Sequence, residues 1–205
     1  MSVAAVVLAG GAATRYGSDK LAADLNGTSL LEHAITGLPA DADLIVVGPA
    51  RKLSRPARFV REEPAGCGPA AAMIAGLRTA AISSPEAIVV LPGDAPAAGQ
   101  GAVILLAALA KIETSAAAVV ATDHAGRLQP LQLALRPAAA EAMIIAAGDS
   151  AGAGQSARVL LERLAVPALR IPLPAREQFD IDTPAHLAAW LEENRTPRQL
   201  RAGDA

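Results

Sequence analysis

Residues 2–20 read SVAAVVLAGGAATRYGSDK, an apolar run that ends on the Gly10-Gly11 pair and opens into a small-residue loop carrying Arg15 and Lys20. A short apolar run closed by glycine has the build of a buried parallel strand feeding a turn. The same build recurs at 42–48 (ADLIVVG) and 87–94 (AIVVLPGD), and 116–121 and 131–135 read as two further strands. Helical stretches lie around them, at 29–38, 69–80, 102–112, 137–147, 156–164 and 184–193. Strands alternating with helices imply βαβ units with right-handed crossovers. The fold class is therefore α/β: three layers, αβα, with a mainly parallel, Rossmann-like sheet covered on both faces. In such sheets ligands collect beyond the carboxyl ends of the strands, near a topological switch point.

Composition bounds what this architecture can serve. A length of 205 residues suits one domain, expected over 1–194, with a polar tail (RTPRQLRAGDA) from 195 to 205 that frays. A chain this long removes roughly 70% of its unfolded surface on folding, so it needs no disulfide, and Cys67 is the single cysteine. With 18 basic against 20 acidic residues there is no electrostatic footprint for nucleic acid or anionic membrane. No basic segment with an apolar stretch and cleavage site opens the chain, and no uninterrupted apolar run reaches about 18 residues. The chain is expected to be soluble, cytoplasmic, monomeric or a weak homo-oligomer, with no nucleic-acid or membrane partner. Alanine supplies 50 residues, lysine three, and aromatics four (Tyr16, Phe59, Phe179, Trp190). The Gly-rich segment 148–154 reads as a flexible loop.

Four motifs carry possible chemistry. In LAGGAATRYGSDK (8–20), two glycines let the backbone approach a ligand, inward-turned N–H groups make an anion nest, and Arg15 and Lys20 add charge for phosphates. The spacing is neither G-x-x-x-x-G-K-[ST] nor G-x-G-x-x-G with a downstream acid, which argues against a P-loop and a dinucleotide-dependent oxidoreductase. In LPGDAP (91–96), Asp94 ends an otherwise apolar strand at the same sheet edge, where a nucleotide's Mg²⁺ needs a hard oxygen. In FDIDTP (179–184), Asp182 and Thr183 suit a helix N-cap with Pro184 at the first position, and Asp182 is a second candidate metal ligand. Alternation points Asp180 and Asp182 to the same side of an extended chain, so either can fill that role. In REEPAGCGP (61–69), adjacent carboxylates beside a Gly-rich turn can accept hydrogen bonds from a nucleobase edge. Cys67 has no basic neighbour in sequence to activate it, and His33, His124 and His186 lack metal-ligand spacing.

These segments, in this order, resemble the nucleotidyltransferase family that includes the molybdenum cofactor guanylyltransferases. The resemblance is carried by LAGG-x5-G-x-DK at Leu8 to Lys20, IVVGP at 45–49, EEP-x3-GP at 62–69, LPGDAP at 91–96, and QPLQLAL followed by DIDTP. It implies a nucleotide-diphospho-sugar-transferase-like fold and an enzyme that uses a nucleoside triphosphate and Mg²⁺, with Mn²⁺ as an alternative, and releases pyrophosphate. It further implies nucleotide binding by Leu8, Ala9, Gly10, Gly11, Lys20, Glu62, Gly68 and Asp94, catalytic roles for Lys20, Arg15 and Asp94, and metal binding by Asp94 and Asp182. GTP and molybdopterin are the implied substrates. Ala13, Tyr16 and Asp182 depart from the guanylyltransferase pattern, Asp182 toward relatives that transfer cytidylyl groups to the same cofactor. Another small phosphorylated acceptor, or a nucleotide-binding protein without catalysis, are the alternatives.

Overall fold

A computed structural model describes residues 1–10, 16–114, 117–164 and 168–194 of the chain. Its centre is β1 (Val3–Leu8), flanked by β4 (Asp43–Val47) and β6 (Ala87–Pro92), the three apolar runs that the sequence marks as buried strands. Outward from β4 lies β5 (Arg58–Val60); beyond β6 come β8 (Leu128–Leu135), β7 (Ala118–Thr122) and β9 (Ala168–Pro172), giving the order β5-β4-β1-β6-β8-β7-β9. β8 runs antiparallel to both its neighbours, and every other pairing in this sheet is parallel. A small hairpin, β2 (Asp24–Leu25) with β3 (Thr28–Ser29), sits apart from it.

Alternation along the strands divides the core into two layers. Val3, Ala5 and Val7 face one side with α1 (Leu30–Ile35), α3 (Ala98–Ala110) and α6 (Pro184–Glu193). Ala4 and Val6 face the other with α2 (Pro69–Ala81), α4 (Pro137–Ala146) and α5 (Ala157–Glu162). This is the expected three-layer arrangement, and it follows from the period of two in a strand buried on both faces. No helix among the described residues is long and apolar enough to cross a membrane.

Three strand features differ from the sequence reading. β5 and β9 lie at the two edges, carry Arg58 and Arg170, and bury little, so they form no apolar run to read. The β2–β3 turn is Asn26-Gly27 with φ of 57° and 89°, a pair suited to a tight hairpin. β8 starts at Leu128 rather than 131, its first four residues being only half-buried. Two helices shift as well: α3 starts at Ala98 rather than 102, and α1 covers only Leu30–Ile35. The expected flexible loop 148–154 is instead fastened to the start of α2: the Gly154 N–H donates to the Cys67 carbonyl (3.2 Å) and Gly152 packs on the Ala70 backbone. The tail 195–205 and Ala116 lie outside the described residues.

Small residues set the spacing between layers. A Cβ at Gly76 of α2 would lie 2.2 Å from Cγ1 of Val6 and 2.9 Å from Cγ2 of Val47, both stiff β-branched side chains. Alanine there would gain about 1 kcal/mol in helix propensity but, at so close an approach, overpack the layer at a cost of about 2–3 kcal/mol, a net loss of about 1–2 kcal/mol. Gly76→Ala should therefore melt about 2–6 °C lower than the parent protein by circular dichroism; an unchanged or higher midpoint would show that α2 can move off the sheet freely.

Candidate active site

The chain leaves β1 for β4 on one side and reaches β6 on the other, so the order of strands reverses between β1 and β6. A crevice opens at such a point beyond the strand ends. The ends are laced together by backbone bonds: Ala9 N–H to Val47 O (2.9 Å), Gly93 N–H to Leu8 O (2.9 Å) and Gly48 N–H to Val60 O (2.8 Å). Gly48 is obligatory in this lacing, because a Cβ there would fall 2.5 Å from the Ala9 carbonyl oxygen. Above these ends lies a cleft of about 770 Å³.

One wall of the cleft is charged. Lys20, on the 3₁₀ turn Lys20–Ala22, places its Nζ 2.7 Å from Oδ2 of Asp94 and 3.1 Å from Oδ1 of Asp182. Asp94 follows β6, and Asp182 immediately precedes Thr183, whose side chain caps α6 by accepting from the His186 N–H. The Ile181 N–H donates to the Asp94 carbonyl (2.9 Å), so the FDIDTP segment is pinned beside the end of β6. Burial opposes the charge on Lys20, yet the two carboxylates more than offset it and hold the ammonium above its ordinary value. Asp180 presents surface to solvent, but the crowding of its carboxyl, followed by repulsion from Asp94 and Asp182, pushes it up to about 7.

The other wall comes from the loops after β4 and β5: Gly48, Pro49 and Arg51, then Arg61, Glu62, Ala65 and Gly66. One carboxylate oxygen of Glu62 accepts from the Gly66 N–H (2.9 Å), which leaves its second oxygen outside that bond. Arg51 pairs with Asp19, the residue before Lys20, and this hydrogen bond holds the Asp19 carboxyl below its usual range despite partial burial.

The structure thus brings together Leu8, Ala9, Gly10, Lys20, Glu62, Asp94 and Asp182 around one cleft, as the sequence motifs suggest. Gly68 is not among the cleft-lining residues: it is the N-cap of α2, at φ 98°, two residues past Gly66, which does line it. Gly11 and Arg15 fall outside the described residues. Asp19, Arg51 and Arg61 are additions that sequence reasoning missed. His186, to which the sequence assigns no chemistry, accepts a bond on Nδ1 from the Asp182 N–H (3.3 Å), and its ring lies against Phe179, which stacks on Trp190.

The cleft at the strand ends thus holds a lysine between two carboxylates, the arrangement against which the chain's relatives can be compared. The family model described as the MobA-like NTP transferase domain matches residues 5–168, and the chain belongs to that family. It is 38% identical over 142 residues to the molybdenum cofactor guanylyltransferase of Acidiphilium cryptum, covering 66% of this chain and 67% of the relative. It is 33% identical over 162 residues to a probable molybdenum cofactor guanylyltransferase of Chloroflexus aggregans, covering 73% and 74%. Among solved structures, molybdopterin-guanine dinucleotide biosynthesis protein A from Archaeoglobus fulgidus superposes with a TM-score of 0.69 at 23% identity, covering 94% of this chain and 98% of that one. The 2-C-methyl-D-erythritol 4-phosphate cytidylyltransferase of Thermus thermophilus shares the fold, with a TM-score of 0.62 at 19% identity and coverage of 96% and 100%.

The raised value at Asp180 has a consequence for stability. The folded chain retains a proton that the unfolded chain, with its ordinary value of 3.8, loses first, so stability falls as pH rises from about 4 to about 7. Asp180→Asn cannot ionise. In chelator it should melt higher than the parent at about pH 8, with the difference closing toward about pH 4. A difference of equal size at both pH values would mean that the charge on Asp180 is not its source.

Proposed function

We propose that the chain transfers a guanylyl group from GTP to the terminal phosphate of molybdopterin and releases pyrophosphate. The observation that carries this reading is the convergence of Asp94 and Asp182 on one cation, the Lys20 ammonium, at the switch point of the sheet. The names of the curated relatives support the choice of base and acceptor.

The residues present fit a divalent cation. Two carboxylates already share one positive charge, and Mg²⁺ is held by one or two carboxylates together with substrate phosphates and water. Among the described residues no group of three or more such ligands is assembled. Asp94 and Asp182 would hold Mg²⁺ or Mn²⁺, which supplies charge neutralisation of the triphosphate.

The remaining work falls to the chain's own groups. The attacking oxygen belongs to a phosphate that is already ionised near neutral pH, so no general base is required. Attack on the α-phosphorus in line with the leaving pyrophosphate calls for positioning and for positive charge where negative charge accumulates. Lys20, and Arg15 from the first loop, supply that charge. Backbone groups of Leu8, Ala9 and Gly10 lie against the nucleotide, where small residues permit close approach. Glu62, with one oxygen tied to Gly66, offers the other to the N1–H and N2 amino donors of guanine.

Lys20→Ala and Asp94→Ala should each lower pyrophosphate release by about 10²-fold or more while the circular dichroism spectrum is retained. Near-parental turnover in either purified variant would overturn the assignment. A thermal-shift panel of GTP, CTP, ATP and UTP with Mg²⁺ should give the largest shift with GTP. A larger shift with CTP would favour cytidylyl transfer, toward which Asp182 leans in the sequence.

A further inference from the structure

We propose that Arg51 is a further cationic ligand of the nucleotide, donating to the oxygens of its phosphate chain; this rests on the nucleoside triphosphate reading above. Arg51 lies in the loop after β4 and lines the cleft, with a side chain only 19% exposed. Its Nη1 is engaged by the Asp19 carboxylate, while its Nε is buried with no hydrogen-bond partner among the described residues. A buried N–H without an acceptor is unfavourable, and an oxygen delivered by a ligand relieves it. A guanidinium presents five donors in a planar fork, which matches phosphate oxygens better than a single ammonium does.

The position of Arg51 distinguishes phosphate from base. Its partner Asp19 directly precedes Lys20, so the guanidinium is anchored to the turn that carries the phosphate lysine. On the reading above the base lies against Glu62, whose carboxylate is fixed by the Gly66 N–H on the loop after β5. The lining cations among the described residues are Lys20, Arg51 and Arg61, and Lys20 already faces two carboxylates against the one that faces Arg51. Asp19 holds Arg51 ready in the absence of an anion and leaves Nε for the incoming oxygen.

The same ion pair would also be expected of a purely structural staple between two loops, and two variants separate the roles. Calorimetric titration of the full chain in Mg²⁺ with GTP, GMP and inorganic pyrophosphate compares the parent with Arg51→Gln, Arg51→Lys and Asp19→Asn. For Arg51→Gln, affinity for GTP and pyrophosphate should fall about 10- to 100-fold while affinity for GMP changes less than about threefold, with partial recovery in Arg51→Lys. Asp19→Asn keeps an oxygen for the turn and releases the guanidinium, so its GTP affinity should stay within about threefold of the parent or improve. Unchanged GTP and pyrophosphate binding in Arg51→Gln would overturn the proposal. So would an equal loss in Asp19→Asn, which marks a staple, or an equal loss for GMP and GTP, which marks a contact to base or ribose. A parent protein that binds no nucleoside triphosphate removes the underlying reading and this one with it, a result distinct from a parent that binds GTP and an Arg51→Gln variant that binds it equally well.

Discussion

One ammonium group organises the cleft. Lys20 reaches Asp94, 74 residues away, and Asp182, 162 residues away, and so ties the turn after the first loop to the end of β6 and to the entry of α6. Without a cation at that point the charges of Asp94 and Asp182 would stand unbalanced, and their repulsion adds to burial in raising Asp180. Carboxylates held together by a removable positive charge are suited to exchange it for another. The arrangement that holds the cleft together is therefore also the one that suits it to a divalent cation and a polyphosphate.

The sheet beneath is built so that these ends cannot drift. β1 is hydrogen-bonded on both sides, its residues are buried on both faces, and Gly48 and Gly76 let neighbouring backbone and helix close on it without a gap. The alanine-rich composition reads differently in this light. Small side chains bring helices near the sheet, and the resulting layers leave the strand ends as the place where charge is concentrated.

Much of this was legible in the sequence because the central strands are uninterrupted apolar runs, and a charged residue that ends such a run must stand at the sheet edge. Asp94 is legible in that way, and Lys20 through the glycine loop that follows the first run. The edge strands β5 and β9 were not, since half-buried strands with arginine among them have no periodic signature. Arg51 was invisible because its place depends on β4 lying beside β1, a tertiary fact with no trace in local pattern. Gly68 enters the reading through the EEP-x3-GP resemblance, and the backbone makes it the N-cap of α2 rather than part of the cleft wall. His186 has no metal-ligand pattern to mark it in the sequence, and its ring nitrogen accepts from the backbone N–H of Asp182.

The hydrogen bond from Ile181 to the Asp94 carbonyl also sets an order in time. On the ribosome the chain is made from its amino end, so β1, the Lys20 turn and β6 all emerge well before residue 181 of the 205. Until that late segment arrives, Lys20 has only Asp94 to hold, and the second carboxylate is missing. Of the residues that line the cleft, Asp182 is thus the last to be made, after every strand of the sheet among the described residues.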